Sequence, residues 1–157
     1  MSRSAELSRP PYMSRLTLND VAPDAYKAVM GMEIYARQSN DPQLYLLVKL
    51  RASVVNGCGF CVDMHAADAQ KAGESTRRLF AVSAWREAAQ LFTAKERAAF
   101  ALTDAVTRLG EHGVPDDVWD EAAGQFDKTE LGNLLMAIVT INVWNRLAIA
   151  TKMDLPS

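Results

Sequence analysis

The chain has only two cysteines, and they stand three positions apart in the stretch NGCGFCVDMH, Asn56 to His65. Cys58 and Cys61 are followed four residues later by His65, one of two histidines. Three chemistries fit that spacing. The thiols can form a redox pair that closes to a disulfide, they can ligate a metal with His65, or they can be small apolar side chains in a core helix. Asn56-Gly57 reads as a helix stop, so the thiols fall at the start of the next helix. The unpaired N–H groups there carry partial positive charge and favour thiolate. His65 is one turn past Cys61 on the same face, where an imidazole can move the proton that thiol chemistry releases and takes back. A closed zinc site wants four ligands. The other histidine, His112, sits in the loop-like Gly110–Gly113 stretch with no second ligand beside it.

The elements that must hold these groups read as helices throughout. Residues 1–19, with the Pro10-Pro11 pair, read as an extended arm, and 20–157 as one domain. Apolar residues return with helical period at Ala25, Val29, Met32 or Glu33, and Ala36. Asp41-Pro42 opens a second helix that Gly57 ends. A third runs from Cys58 to about Gly73 and a fourth over about 75–86. Thr93 with Glu96 has the capping-box form and opens a fifth. Pro115 starts a sixth, and a seventh, almost wholly apolar, spans about 128–151. No stretch alternates with period two for long enough to argue a strand. The expected fold is all-α, a single-domain bundle of six to seven helices.

With 157 residues, 49% of them hydrophobic, the chain can bury a core without staples. Its 17 basic and 19 acidic residues give no electrostatic footprint for nucleic acid. Uninterrupted apolar runs fall short of the ~18 residues of a membrane span, and the first residues lack the apolar region of a secretory signal. These features imply no nucleic-acid or membrane partner and a cytoplasmic location, where a CxxC pair is more often catalytic or metal-binding than a permanent staple.

The stretch LVKLRASVVNGCGFCVDMHAADAQKAGES, Leu47 to Ser75, resembles the core of the alkylhydroperoxidase D-like (AhpD-like) proteins of the carboxymuconolactone decarboxylase superfamily. LFAVSAWREA, FTAKERAAFALTDAVT and INVWNRLAIAT resemble that family's later helices, so the likeness covers roughly residues 20–151. It implies a helical protein assembled as a homo-oligomer, a trimer or hexamer. In the peroxidase branch it implies that Cys58 and Cys61 reduce a small hydroperoxide and end as a disulfide, with His65 as proton relay. It also implies that no cofactor is bound and that an external dithiol such as protein-bound dihydrolipoamide re-reduces the pair.

Two departures stand out. The family's relay glutamate, twelve residues before the first cysteine, is replaced by Leu46, and no histidine lies between the cysteines. Candidate substitutes are Asp68, Asp41 or Glu33 as carboxylates, or Lys49 or Arg51 as cations acting on the thiolate, each of which otherwise reads as a solvated charge. Cys61, nearer His65, is favoured over Cys58 as the attacking thiol. Trp85, Trp119 and Trp144 read as packing residues and the methionines as gap-fillers. Asn142, Asn145 and Arg146 need partners, expected at a subunit interface or at helix ends rather than in a pocket. Two other readings remain beside the peroxidase: a decarboxylase or lactone-processing enzyme on the same scaffold, and a non-enzymatic oligomer that senses oxidation.

Overall fold

The computed structural model describes residues 14–155. Eight α-helices occur among them: α1 Leu18–Val21, α2 Pro23–Ser39, α3 Pro42–Asn56, α4 Gly59–Lys71, α5 Thr76–Ala81, α6 Ala94–Thr107, α7 Asp116–Gln125 and α8 Lys128–Thr151. There is no β-strand in the described chain, and the fold is all-α as the periodicity predicts.

The helix boundaries follow from caps. Asp41 accepts a hydrogen bond from the Leu44 N–H at 2.9 Å, and Pro42 occupies the first turn, where no N–H is needed. Thr93 and Glu96 close the expected capping box on α6. Asp127 and Glu130 form a second box that opens α8.

Two expectations differ. Most of the arm expected over 1–19 lies outside the described residues; its described end is not a free extension. The Arg15 N–H donates to the Thr151 carbonyl at 2.7 Å, and α1 adds one helical turn from Leu18. The fourth helix, expected to reach residue 86, stops at Ala81 and tightens into a 3-10 turn at Val82–Ala84. The Arg51 guanidinium takes the carbonyls of Val82 (3.0 Å) and Ser83 (2.8 Å), which an α-helix would have bonded to its own next turn.

α3 and α8 pack against each other at the centre, with α2, α4 and α6 against one or both. Val48, Leu102, Leu134 and Ile138 fill the space between α3, α6 and α8. Leu47, Val82, Trp85, Phe92 and Phe100 form a second core under the 3-10 turn. Burial of such a side chain is worth ~1.5–3 kcal/mol. By length and composition α8 also passes for a membrane span, which a count of unbroken apolar runs misses; here it runs through the bundle. Its cover is incomplete in one chain, since Val139 and Ile149 are exposed.

Candidate active site

The α3–α4 corner sets the thiols. Gly57 takes φ +68°, a conformation that favours glycine, and the Cys58 N–H donates back to the Ser53 carbonyl at 3.0 Å. Cys58 becomes the N-cap of α4 and Cys61 sits in its first turn. Both are free thiols, 1% and 2% exposed, and their sulfurs share a hydrogen bond at 2.7 Å.

One turn on, His65 is buried, and neither ring nitrogen has a hydrogen-bond partner among the described residues. Cys61 and His65 line one cavity of about 240 Å³ together with Glu33, Lys49, Met64 and Trp144. An unpartnered buried imidazole costs free energy. Here it faces the only kind of space that can supply a partner, a solvent- or substrate-filled one.

Glu33 is the carboxylate of this cavity. It is 5% exposed and receives the Tyr45 hydroxyl, the Lys49 ammonium at 2.5 Å and the Trp144 indole N–H at 3.1 Å. Arg37, on the next turn of α2, adds a longer ion pair at 3.6 Å. Three helices therefore meet at one carboxylate: α2 supplies it, α3 gives Tyr45 and Lys49, and α8 gives Trp144.

The protonation states follow. Burial works against a charged Glu33, but Lys49, Tyr45 and Arg37 outweigh it and hold the carboxyl below the usual range. Burial pulls Lys49 down, opposed by Glu33. His65 is pushed down to about 3, first by burial and then by the Lys49 charge, so the imidazole is neutral near pH 7. Across the shared hydrogen bond Cys61 lowers Cys58 to about 7, against the opposing effect of burial. The Cys61 backbone N–H adds to this without closing a capping hydrogen bond. The Cys61 thiol is raised in turn, because it gives its proton to the pair and because it is buried; Lys49 acts in the opposite sense. Above about pH 7 the pair thus carries one negative charge and one proton.

Beneath the thiols lies a buried amide cluster. Asn145, fully buried on α8, accepts from Asn56 at 2.9 Å and donates to Ser53 Oγ at 3.0 Å. Its amide also lowers both thiols. The expectation that Asn145 finds its partners at a helix end is met at the end of α3, yet that end is the thiol site itself. Asn142 likewise accepts from Asn56, at 2.9 Å, and Arg146 donates to Asn142 at 2.7 Å.

The other substitutes for the missing glutamate go elsewhere. Leu46 packs half-buried against the Ala36, Tyr45 and Ala137 cluster and does not line the cavity. Asp41 caps α3 and Asp68 is exposed. Arg51 points to the far side of α3, where it holds Asp104 at 2.6 Å. Glu33 and Lys49, read from sequence as solvated charges, are instead buried in the cavity wall. Trp144, read as a packing residue, also lines the cavity. Trp85 is core and Trp119 is 41% exposed. His112 is exposed on its loop, and among the described residues no group of three or more His, Cys, Asp or Glu is arranged to hold a metal ion.

The carboxymuconolactone decarboxylase family model matches residues 22–105, the span from α2 through most of α6. The chain belongs to this family. YdfG of Bacillus subtilis (strain 168), itself uncharacterized, is 36% identical over 137 residues, 87% of this chain and 92% of that one. A solved Agrobacterium tumefaciens protein, named as a candidate AhpD antioxidant defence protein, is 38% identical and superposes with a TM-score of 0.88. The match covers 92% of this chain and 99% of that one. The chain is thus an AhpD-like member of the family. A debrominase solved with 2,3,4-tribromopyrrole shares the fold at 17% identity, with a TM-score of 0.78 over 88% of this chain and 74% of that one.

Proposed function

We propose that the chain is a thiol peroxidase that reduces small hydroperoxides at Cys58 and Cys61, with His65 as the proton relay. The observation that carries this reading is the reduced thiol pair, sulfurs 2.7 Å apart, whose Cys61 end shares a cavity with an unpartnered imidazole and a buried cation. The antioxidant name of the Agrobacterium relative supports the same chemistry.

Cys61 attacks as thiolate, its proton passing across the short contact to Cys58 and its charge facing Lys49. The S–O bond forms at the peroxide oxygen, the O–O bond breaks, and the departing alkoxide takes a proton. His65, too weak a base to store that proton, gives one from one nitrogen while accepting one at the other. Glu33 and Lys49 fix the electrostatics of the cavity throughout. Cys58 then attacks the Cys61 sulfenic acid, releasing water and forming the disulfide. A dithiol of the dihydrolipoamide type returns two electrons and two protons. The pair needs a reducing compartment for turnover, which supports a cytoplasmic location. Exposed Ile34 and Tyr35 on α2 and Val139 on α8 are apolar surface available to a second copy, which supports a homo-oligomer.

The test is a titration of the fully reduced protein with one equivalent of an alkyl hydroperoxide, counting free thiols against time. Both thiols should vanish together and return with dihydrolipoamide. Thiols that persist for hours sink the peroxidase reading. A catalytic activity that survives alkylation of both thiols would belong to a decarboxylase or lactone-processing enzyme, which needs no such pair. A disulfide that forms but turns over with no dithiol would belong to an oxidation sensor.

A further inference from the structure

The two sulfurs of the pair open onto different cavities. Cys61 lines the His65 cavity, whereas Cys58 lines a larger one of about 590 Å³ on the other side of Phe60. Phe60, Ala148 and Met153 line both cavities and so form the wall between them. The Cys58 side is walled by Gly59, Ile149 and the segment after α8, Lys152–Leu155. It holds neither His65 nor Lys49 nor Glu33; beside Cys58 its ionisable groups are Lys152 and Asp154, in the segment after α8.

We propose that the two half-reactions use these two entrances: hydroperoxide reaches Cys61 through the His65 cavity, and the reducing dithiol reaches Cys58 through the cavity under the C-terminal segment. This rests on the peroxidase reading above. The sizes suit the division. A hydroperoxide need present only two oxygens, whereas a reductant must bring two sulfurs and the carbons that join them. The lining suits it too: Phe60, Ile149 and Leu155 offer apolar contact for the carbon arm of a dithiol.

The segment that closes this side is loosely held at its end. Leu155 is 66% exposed, and its side chain lies 3.9 Å from where a Cβ on Gly59 would stand, an ordinary contact. Leu155 thus borders the residue next to Cys58, in the wall of the cavity that Cys58 lines.

Electrons balance through this route. One thiolate of the dithiol attacks Cys58 Sγ, forming a mixed disulfide as the Cys58–Cys61 bond breaks. The electron pair leaves on Cys61, which then takes up a proton. The dithiol's second sulfur attacks the first, releasing Cys58 and closing the reductant's own disulfide. The protein gains two electrons and two protons, and the dithiol loses them.

The experiment measures the half-reactions separately, in the full chain. Oxidation is followed as thiol loss with an alkyl hydroperoxide, and reduction as thiol return with dithiothreitol after the disulfide has been made with diamide. Ile149→Trp narrows the Cys58 side and Met64→Trp the Cys61 side. The ratio of reduction rate to oxidation rate should fall about tenfold in the first and rise about tenfold in the second, since access governs exchange rates. Equal slowing of both half-reactions in each variant means one shared entrance and overturns the proposal. Leu155→Gly removes this side chain without touching the shared wall. It should speed reduction several-fold, and an unchanged rate overturns the proposal even where a tryptophan variant fails to fold. Because diamide makes the disulfide without peroxide, a wild type inert to hydroperoxide defeats the peroxidase reading while the reduction arm still reports which side the dithiol enters.

Discussion

Lys49 and Arg51 are two residues apart on α3, and each is paired with a carboxylate, yet the two pairs do different work. Lys49 is 4% exposed and meets Glu33 in the wall of the thiol cavity. Arg51 turns to the other side of the helix, binds Asp104 through Nε and Nη2 (2.6 and 3.0 Å) and pins the 3-10 turn with Nη1. Arg86 and Trp85 share the same carboxylate, at 2.5 and 3.2 Å. The first pair holds charge where a reaction needs it, and the second holds backbone in place. A cation's distance along the chain from the cysteines does not tell the two apart; the side of the helix does.

Breaking the first pair should have the largest effect. Glu33→Ala leaves Lys49 buried without its partner, a change that costs ~3–5 kcal/mol in such settings. Chemical denaturation should show that loss, and thiol oxidation should slow as well. Glu33→Gln, which keeps the shape, should still slow peroxide-driven thiol loss while sparing most of the fold. If both variants oxidise at the wild-type rate, Glu33 is structural only and the contrast collapses.

Next in size is the relay. His65→Phe keeps a buried ring but removes both nitrogens, and should slow oxidation ~10²–10⁴-fold, the usual worth of positioned proton transfer. Stopped-flow thiol loss measures it, and a change under twofold would remove His65 from the chemistry.

The second pair should respond in stability alone. Arg51→Met should cost about 2 kcal/mol, the scale of hydrogen bonds to charged groups, with the thiol titration unmoved. A shift in the thiol titration would mean that the two sides of α3 are electrically connected.

The pH profile sharpens the same point. Cys58 is lowered to about 7, so reactivity should rise about tenfold per pH unit below that value and level off above it. Lys49→Met removes a positive charge that acts on Cys61, so the plateau should fall while the midpoint set by Cys58 stays; Arg51→Met should leave both in place.

The smallest effect belongs to Leu46→Glu. Restoring a glutamate at the family position puts a charge among Ala36, Tyr45 and Ala137, outside the cavity, and should not accelerate oxidation. A gain of tenfold or more would show that position 46 can reach the thiols after all.

Much of the frame was legible in the residues. Asp41-Pro42, Gly57 and the Thr93–Glu96 box each act locally, through hydrogen bonds within a few positions, and so fall where the pattern puts them. The thiols and His65 share one helix and were legible for the same reason. Glu33 was not, because its role depends on how α2 lies across α3 and α8. A signal did exist: Glu33 falls in register with the apolar positions of α2. The buried stripe in fact passes through Glu33 and Ala36, while Ala25, counted in it from sequence, is exposed. Lys49 between Val48 and Leu50, and Asn145 on the apolar α8, repeat that pattern of a polar group at an inward-facing position. Such positions are costly unless satisfied; Asn145 and Lys49 turn out to act on the thiols, and Glu33 lines the cavity that Cys61 shares. The early end of α5 was illegible because the cause, Arg51, lies 30 residues upstream on another helix.

The carboxylate network draws on α2, α3 and α8, whereas the CxxC and its histidine lie within one turn-and-helix segment. That separation sets an order of events during folding. α4 can wind locally and bring its two sulfurs together, and only docking of the distant helices adds Lys49 and Asn145 to them. A newly made chain therefore acquires its thiol pair from one segment and the cavity that controls access to it from three others.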